Sequence, residues 1–123
     1  MATSKKILII DDDNRNIFAL TAVLKAKGYQ CMSALFAEDG LQLISQHPEI
    51  AVVLMDMMMP GMDGYEAIAR MKETPEFKEI PVIAVTAQAM VGDKERCINA
   101  GAVGYISKPV NVDNLVKLIS QYI

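Results

Sequence analysis

A parallel α/β sheet covered by helices on both faces is the fold this chain predicts, and three observations predict it. Short apolar runs alternate five times with segments of helical period, and the connections between them are short. Several of the runs are solidly apolar, the pattern of strands buried on both faces. Polar residues able to do chemistry stand at the ends of the runs, on one edge of the sheet.

The elements follow in order. Ile7-Leu8-Ile9-Ile10 is the first strand and stops at Asp11-Asp12-Asp13. Ile17, Leu20 and Leu24 recur at three and four residues, and Gly28 closes that helix. An acid is a favoured N-cap and offsets the helix dipole, so Asp13 is the candidate cap. Capping leaves Asp11 and Asp12 unexplained, and adjacent like charges predict a compensating cation nearby. Tyr29 to Leu35 alternates and reads as a strand nearer a sheet edge. Ala37, Leu41 and Ile44 mark a helix ending before Pro48.

Val52-Val53-Leu54-Met55 reads as the third strand, buried on both faces and ending at Asp56, and Pro60-Gly61 and Asp63-Gly64 mark the connection after it. Ile68 and Met71 lie on a helix stopped by Thr74-Pro75. Pro81 to Val85 forms a strand ending in Thr86, and a helix from about Val91 to Ala100 stops at Gly101. Gly104 to Ser107 is the last strand, ending in Lys108-Pro109, and the final helix runs from Val112 to Tyr122.

At 123 residues, with no linker or low-complexity stretch, residues 1–123 are expected to be one domain. A net charge of -3 disfavours direct nucleic-acid or anionic-membrane binding. The apolar run behind the basic start is too short for a signal core or a membrane span, so a cytoplasmic protein is expected. Cys31 and Cys97, with His47 as the sole histidine, make a zinc site improbable. Both cysteines are expected to pack as small hydrophobes, and His47 to cap a helix end in solvent. The nine methionines are expected to fill core and loop rather than bind a soft metal.

Asp11, Asp12 and Asp56 therefore converge with Thr86 and Lys108 at one edge. Three carboxylates make a hard, oxygen-rich site suited to a small divalent cation such as magnesium. With such a cation in place a phosphoryl group can approach Asp56, whose carboxylate can act as a nucleophile to give an acyl phosphate. Lys108 offers a point charge and Thr86 a hydroxyl to the phosphoryl oxygens.

These residues, Asp11-Asp12, Asp56, Thr86 and Lys108-Pro109 at this spacing, resemble the receiver domain of two-component response regulators from Ile7 to the C-terminus. The resemblance implies a doubly wound, flavodoxin-like five-stranded sheet of order 2-1-3-4-5. It implies Asp56 as phosphoacceptor and magnesium held by Asp12, Asp56 and the Met58 backbone carbonyl, with Asp11 acting through a water. It implies Thr86 and Lys108 at the phosphoryl oxygens, a cis Lys108-Pro109 bond, and a switch in which Tyr105 swings inward with Thr86. Met58 and Gln88 stand where the family tunes dephosphorylation. The implied donor is a histidine kinase or histidine phosphotransfer protein, and the implied output is a protein partner on the surface of the fourth helix, last strand and final helix. Such a chain promotes its own phosphorylation and dephosphorylation without being a conventional turnover enzyme.

The stretch Thr86 to Cys97, with Tyr105 to Pro109, is similar to receivers of hybrid histidine kinases and phosphorelays. Two alternatives stay open. A haloacid-dehalogenase-like phosphatase would use Asp11-x-Asp13 and leave Asp56 idle, and a degenerate receiver would serve only as an interaction module.

Overall fold

The computed structural model describes residues 5–87 and 91–123. Residues 1–4 and 88–90, and with them the expectation placed on Gln88, lie outside it. The described chain runs β1 (Lys6–Ile10), α1 (Asn14–Ala26), β2 (Gln30–Ala34), α2 (Ala37–Gln46) and β3 (Ile50–Asp56). It continues through α3 (Gly64–Glu73), β4 (Val82–Thr86), α4 (Asp93–Ala100), β5 (Gly104–Ser107) and α5 (Val112–Ile119). The strands are parallel in the order β2-β1-β3-β4-β5.

Alternate residues on the strands supply two cores. Ile7 and Ile9 of β1, Val52 and Leu54 of β3, and Ile83 and Val85 of β4 pack with Ile17, Leu20 and Leu24 of α1 and with Leu115 and Ile119 of α5. Leu8 and Ile10, Val53 and Met55, and Val82 and Ala84 face the other way, onto Ile44 of α2, Ile68 and Met71 of α3 and Cys97 of α4. Burial on both faces is why β1 after its first residue, Lys6, is wholly apolar and why β3 and β4 carry no polar residue until their last. The edge strand β2, in contrast, is half exposed along most of its length.

Most predicted boundaries stand within a residue or two. The helix expected from Val91 begins at Asp93, because Gly92 takes φ +92° as its N-cap, a left-handed conformation that cannot continue a helix. The final helix ends at Ile119 rather than Tyr122, with Ser120 as its C-cap. Asp13 caps α1 as expected, its carboxylate accepting the Arg15 backbone N–H. Asp63 and Asn111 do the same for α3 and α5. Cys97 is fully buried, and burial pushes the half-buried Cys31 thiol up to about 11, which keeps it unreactive. His47 follows α2, with Nδ1 3.4 Å from Glu49 Oε2. Met55, Met57, Met59, Met62 and Met71 are core residues, whereas Met58 is half exposed.

Gly64 opens α3 directly behind the end of β3. A Cβ there would stand 2.7 Å from the Met57 Cα and 3.0 Å from the Asp56 carbonyl oxygen, both backbone atoms that cannot swing away. Gly64→Ala is therefore expected to destabilise the fold by about 1–3 kcal/mol, although alanine is the better helix former. Urea unfolding measures it, and equal or greater stability of the variant would contradict the close approach.

Candidate functional site

The carboxyl ends of β1, β3, β4 and β5 and the loops that follow them assemble the site. Asp11 follows β1, and its backbone N–H donates to the Ala34 carbonyl of β2 at 3.1 Å. Asp56 is the last residue of β3 and is in register with Val85. Thr86 ends β4, and its carbonyl accepts the Lys108 N–H at 2.8 Å, which fixes the residue after β5 beside it. The Lys108-Pro109 bond is cis.

Asp11, Asp12 and Asp56 bring carboxylate oxygens within 4.8 Å of one another. Asp11 and Asp56 are buried, 2% and 4% exposed, while Asp12 is open to solvent. The cation expected to compensate them is Lys108, whose Nζ lies 3.1 Å from Asp11 Oδ2 and 3.5 Å from Asp56 Oδ2. One ammonium thus bridges two buried carboxylates, one just after β1 and one at the end of β3. Asp11 Oδ1 accepts the Asp13 N–H at 2.9 Å, and Asp56 Oδ1 accepts the Met58 N–H at 3.0 Å.

Burial raises the Asp56 carboxyl above its ordinary value, and the charges of Asp11 and Asp12 add to that. The Met58 N–H and the Lys108 ammonium oppose it without cancelling it. For Lys108, burial works against the charged form, but the hydrogen bond and charge of Asp11, joined by the charge of Asp56, outweigh it and raise its pKa. Three carboxylates and one ammonium leave a formal charge of -2 when all are ionised, formed entirely of hard oxygen donors. That donor set fits a divalent cation such as magnesium, with Asp12 the solvent-facing member.

Thr86 is buried and Tyr105 half-buried. Tyr105 is in register with Ala84, two residues before Thr86, and packs against the core on the α2, α3 and α4 side. By the strand's two-residue alternation Thr86 shares the face of Ala84, so Thr86 and Tyr105 lie on one side of the sheet. The Asp11-x-Asp13 pair of a phosphatase is not built here, since Asp13 caps α1 and pairs with Arg15 at 3.0 Å.

Two features lay outside the sequence reading. Asn16 Nδ2 stands 3.5 Å from Asp11 Oδ2, the oxygen that also meets Lys108, and its place in the first turn of α1 was the available signal. The Arg96 guanidinium lies 4.1 Å from the centre of the Tyr65 ring, and the Tyr65 hydroxyl is 3.5 Å from Cys97 Sγ, tying α3 to α4. Nothing in the local sequence pattern announces those pairs.

Residues 7–120 match the family model of the response regulator receiver domain. The polar-differentiation response regulator DivK of Brucella ovis is 35% identical over 121 residues, covering 98% of this chain and 97% of DivK. A CheY-like response regulator receiver domain protein from Methanospirillum hungatei is 31% identical with a TM-score of 0.85, covering 97% of this chain and 93% of that one. The receiver domain of a sensor histidine kinase from Pseudomonas aeruginosa, solved with a magnesium ion coordinated in its active site cleft, is 27% identical. Its TM-score is 0.87, and the match covers 98% of each chain. The chain belongs to the response regulator receiver family and is a receiver domain of two-component and phosphorelay signalling, not a conventional metabolic enzyme.

The raised Asp56 carboxyl has a consequence for stability. A group that binds its proton more tightly folded than unfolded costs stability as pH climbs above its ordinary value near 3.8. Asp56→Asn, neutral throughout, is expected to be more stable than the wild type in metal-free buffer at pH 7, by on the order of 1 kcal/mol. The gain should shrink toward pH 4. Thermal melts across that range measure it, and a wild type more stable than the variant at pH 7 would contradict the electrostatic reading.

Proposed function

We propose that Asp56 accepts a phosphoryl group from a phosphohistidine of a histidine kinase or histidine phosphotransfer protein. The observation that supports this reading is the bridge from Lys108 to Asp11 and Asp56 beside a third carboxylate, a cluster that would offer a nucleophile, a cation for the phosphoryl group and a divalent-ion site in one cleft. In the transfer an oxygen of Asp56 bonds to phosphorus as the phosphorus–nitrogen bond of the donor breaks. The donor imidazole leaves as the neutral ring once protonated, and an acyl phosphate stays on Asp56.

Asp12, Asp56 and the Met58 carbonyl would hold magnesium, with Asp11 reaching it through a water. Bound there, magnesium would neutralise charge and let a phosphoryl group approach an acidic cleft. The magnesium reported in the receiver from Pseudomonas aeruginosa supports this choice of metal. Lys108 exchanges a carboxylate partner for a phosphoryl oxygen, and the Thr86 hydroxyl donates to another. Movement of Thr86 toward the phosphate opens space on the face it shares with Tyr105, which turns inward. The surface of α4, β5 and α5 then changes its population of states and with it the affinity for a protein partner.

On this reading residues 1–123 form one receiver domain that works in the cytoplasm and promotes its own phosphorylation and dephosphorylation. No helix of the described residues is long and apolar enough to cross a membrane.

Intact-mass spectrometry after incubation with acetyl phosphate and magnesium tests the assignment. The wild type is expected to gain one phosphoryl group, and Asp56→Asn to gain none under the same conditions. Equal labelling of the two proteins would sink Asp56 as the acceptor.

A further inference from the structure

Three hollows of the described surface invite comparison. One, of about 230 Å³ between α1 and Lys108-Pro109, adjoins the site already described. Another, of about 410 Å³ at the opposite end of the sheet around His47 and Phe77, brings no charge pattern that names a ligand. The third lies along the free side of the edge strand β2 and carries more information.

This groove runs between α1 and α2. It has two compartments of about 580 and 660 Å³ that share Asn14, Ile17 and Ser33. Ile17, Ala34, Leu35 and Leu43 line it as the outer surface of the core, each buried or half-buried. Phe36 stands in one compartment and Phe18 in the other, 51% and 78% exposed. The chain has only three phenylalanines, and two of them face solvent across one hollow. Aromatic posts over an aliphatic floor with a polar rim are the anatomy of a protein interface, and large exposed apolar surface is selected against otherwise.

Charge and spacing narrow the occupant. Asp39 lines the groove, and Glu38 precedes it in the first turn of α2. Arg15, the cation of the lining, is already paired with Asp13, which leaves Glu38 and Asp39 as the charge the groove presents to an occupant. A second copy of this chain would bring acid to acid in a two-fold contact and is disfavoured. Two adjoining compartments of this size have room for several successive side chains of one helix face, where aliphatic residues recur at three and four residues.

We infer that the α1–α2 groove docks an amphipathic helix of a partner protein, aliphatic on its buried face and bearing Lys or Arg where it meets Glu38 and Asp39. The inference goes beyond the phosphoacceptor reading and does not rest on it. Because β2 and β5 are opposite edges of the sheet, an occupied groove leaves the α4, β5 and α5 surface uncovered. A receiver so equipped can hold a constant partner at one edge and a phosphorylation-dependent one at the other.

Benzoylphenylalanine in place of Phe18, Phe36 or Ile98, the last an exposed control on α4, allows photo-crosslinking in cells of the source organism. Positions 18 and 36, but not 98, are expected to capture the same peptide of one protein, with aliphatic residues three and four apart and Lys or Arg beside them. A synthetic copy of that peptide should bind the wild type and lose at least tenfold in affinity for Phe18→Ser and Phe36→Ser. Both variants should melt as the wild type does, since both rings are exposed. The proposal is overturned by crosslinks between copies of this chain, by capture of an acidic or non-helical segment, or by a pattern matching that of position 98. It is equally overturned if the captured peptide binds the serine variants unchanged.

Discussion

The contact on which the rest of the site depends is the Lys108 ammonium set between Asp11 and Asp56. Two buried carboxylates a few ångströms apart repel by several kcal/mol at an effective dielectric near 20, and Asp12 adds a third charge. The ammonium bridging them at 3.1 and 3.5 Å offsets part of that, and the cluster still carries excess negative charge. A fold with an apolar core on each face of its sheet can hold such a cluster because the repulsion sits at the sheet edge, away from both cores. On the proposed function, residual strain at the cleft would make an arriving cation or phosphoryl group consequential for the whole domain.

Backbone geometry is what makes the contact possible. Parallel pairing of β4 with β5 and the Lys108 N–H bond to Thr86 place the lysine beside strands far from it in sequence. Gly64, against the backbone of Met57 and Asp56, lets α3 begin close behind Asp56, and Asp63 caps it there. Thr86 and Tyr105 share a sheet face through alternation alone. The proposed signal would pass from Thr86 to Tyr105 on that shared face, and Tyr65, stacked under Arg96 and touching Cys97, ties the α3 that follows β3 to α4.

Much of this was legible in the sequence, for local reasons. Solid apolar runs broken by a single polar residue mark both the buried strands and the edge where chemistry gathers, so Asp11, Asp56 and Thr86 could be placed before any coordinates. The Asp13 cap and the need for a cation among the acids follow equally from short-range physics. The start of α4 was misjudged because hydrophobic period does not register that Gly92 adopts a left-handed φ. Asn16 was missed because a 3.6-residue period assigns a face, not the reach of an amide to a particular oxygen. The Tyr65, Arg96 and Cys97 cluster and the groove under Phe18 and Phe36 depend on how separate elements pack, which no window of sequence contains.

The balance between Lys108 and a divalent cation is open to direct measurement. Calorimetric titration of magnesium into the wild type, Lys108→Ala and Asp12→Asn tests whether the two charges compete for the same carboxylates. If the ammonium and the metal share Asp11 and Asp56, one magnesium should bind the wild type, more tightly to Lys108→Ala and at least tenfold more weakly to Asp12→Asn. Binding to Lys108→Ala that is no tighter than to the wild type, or binding indifferent to Asp12, would contradict the account.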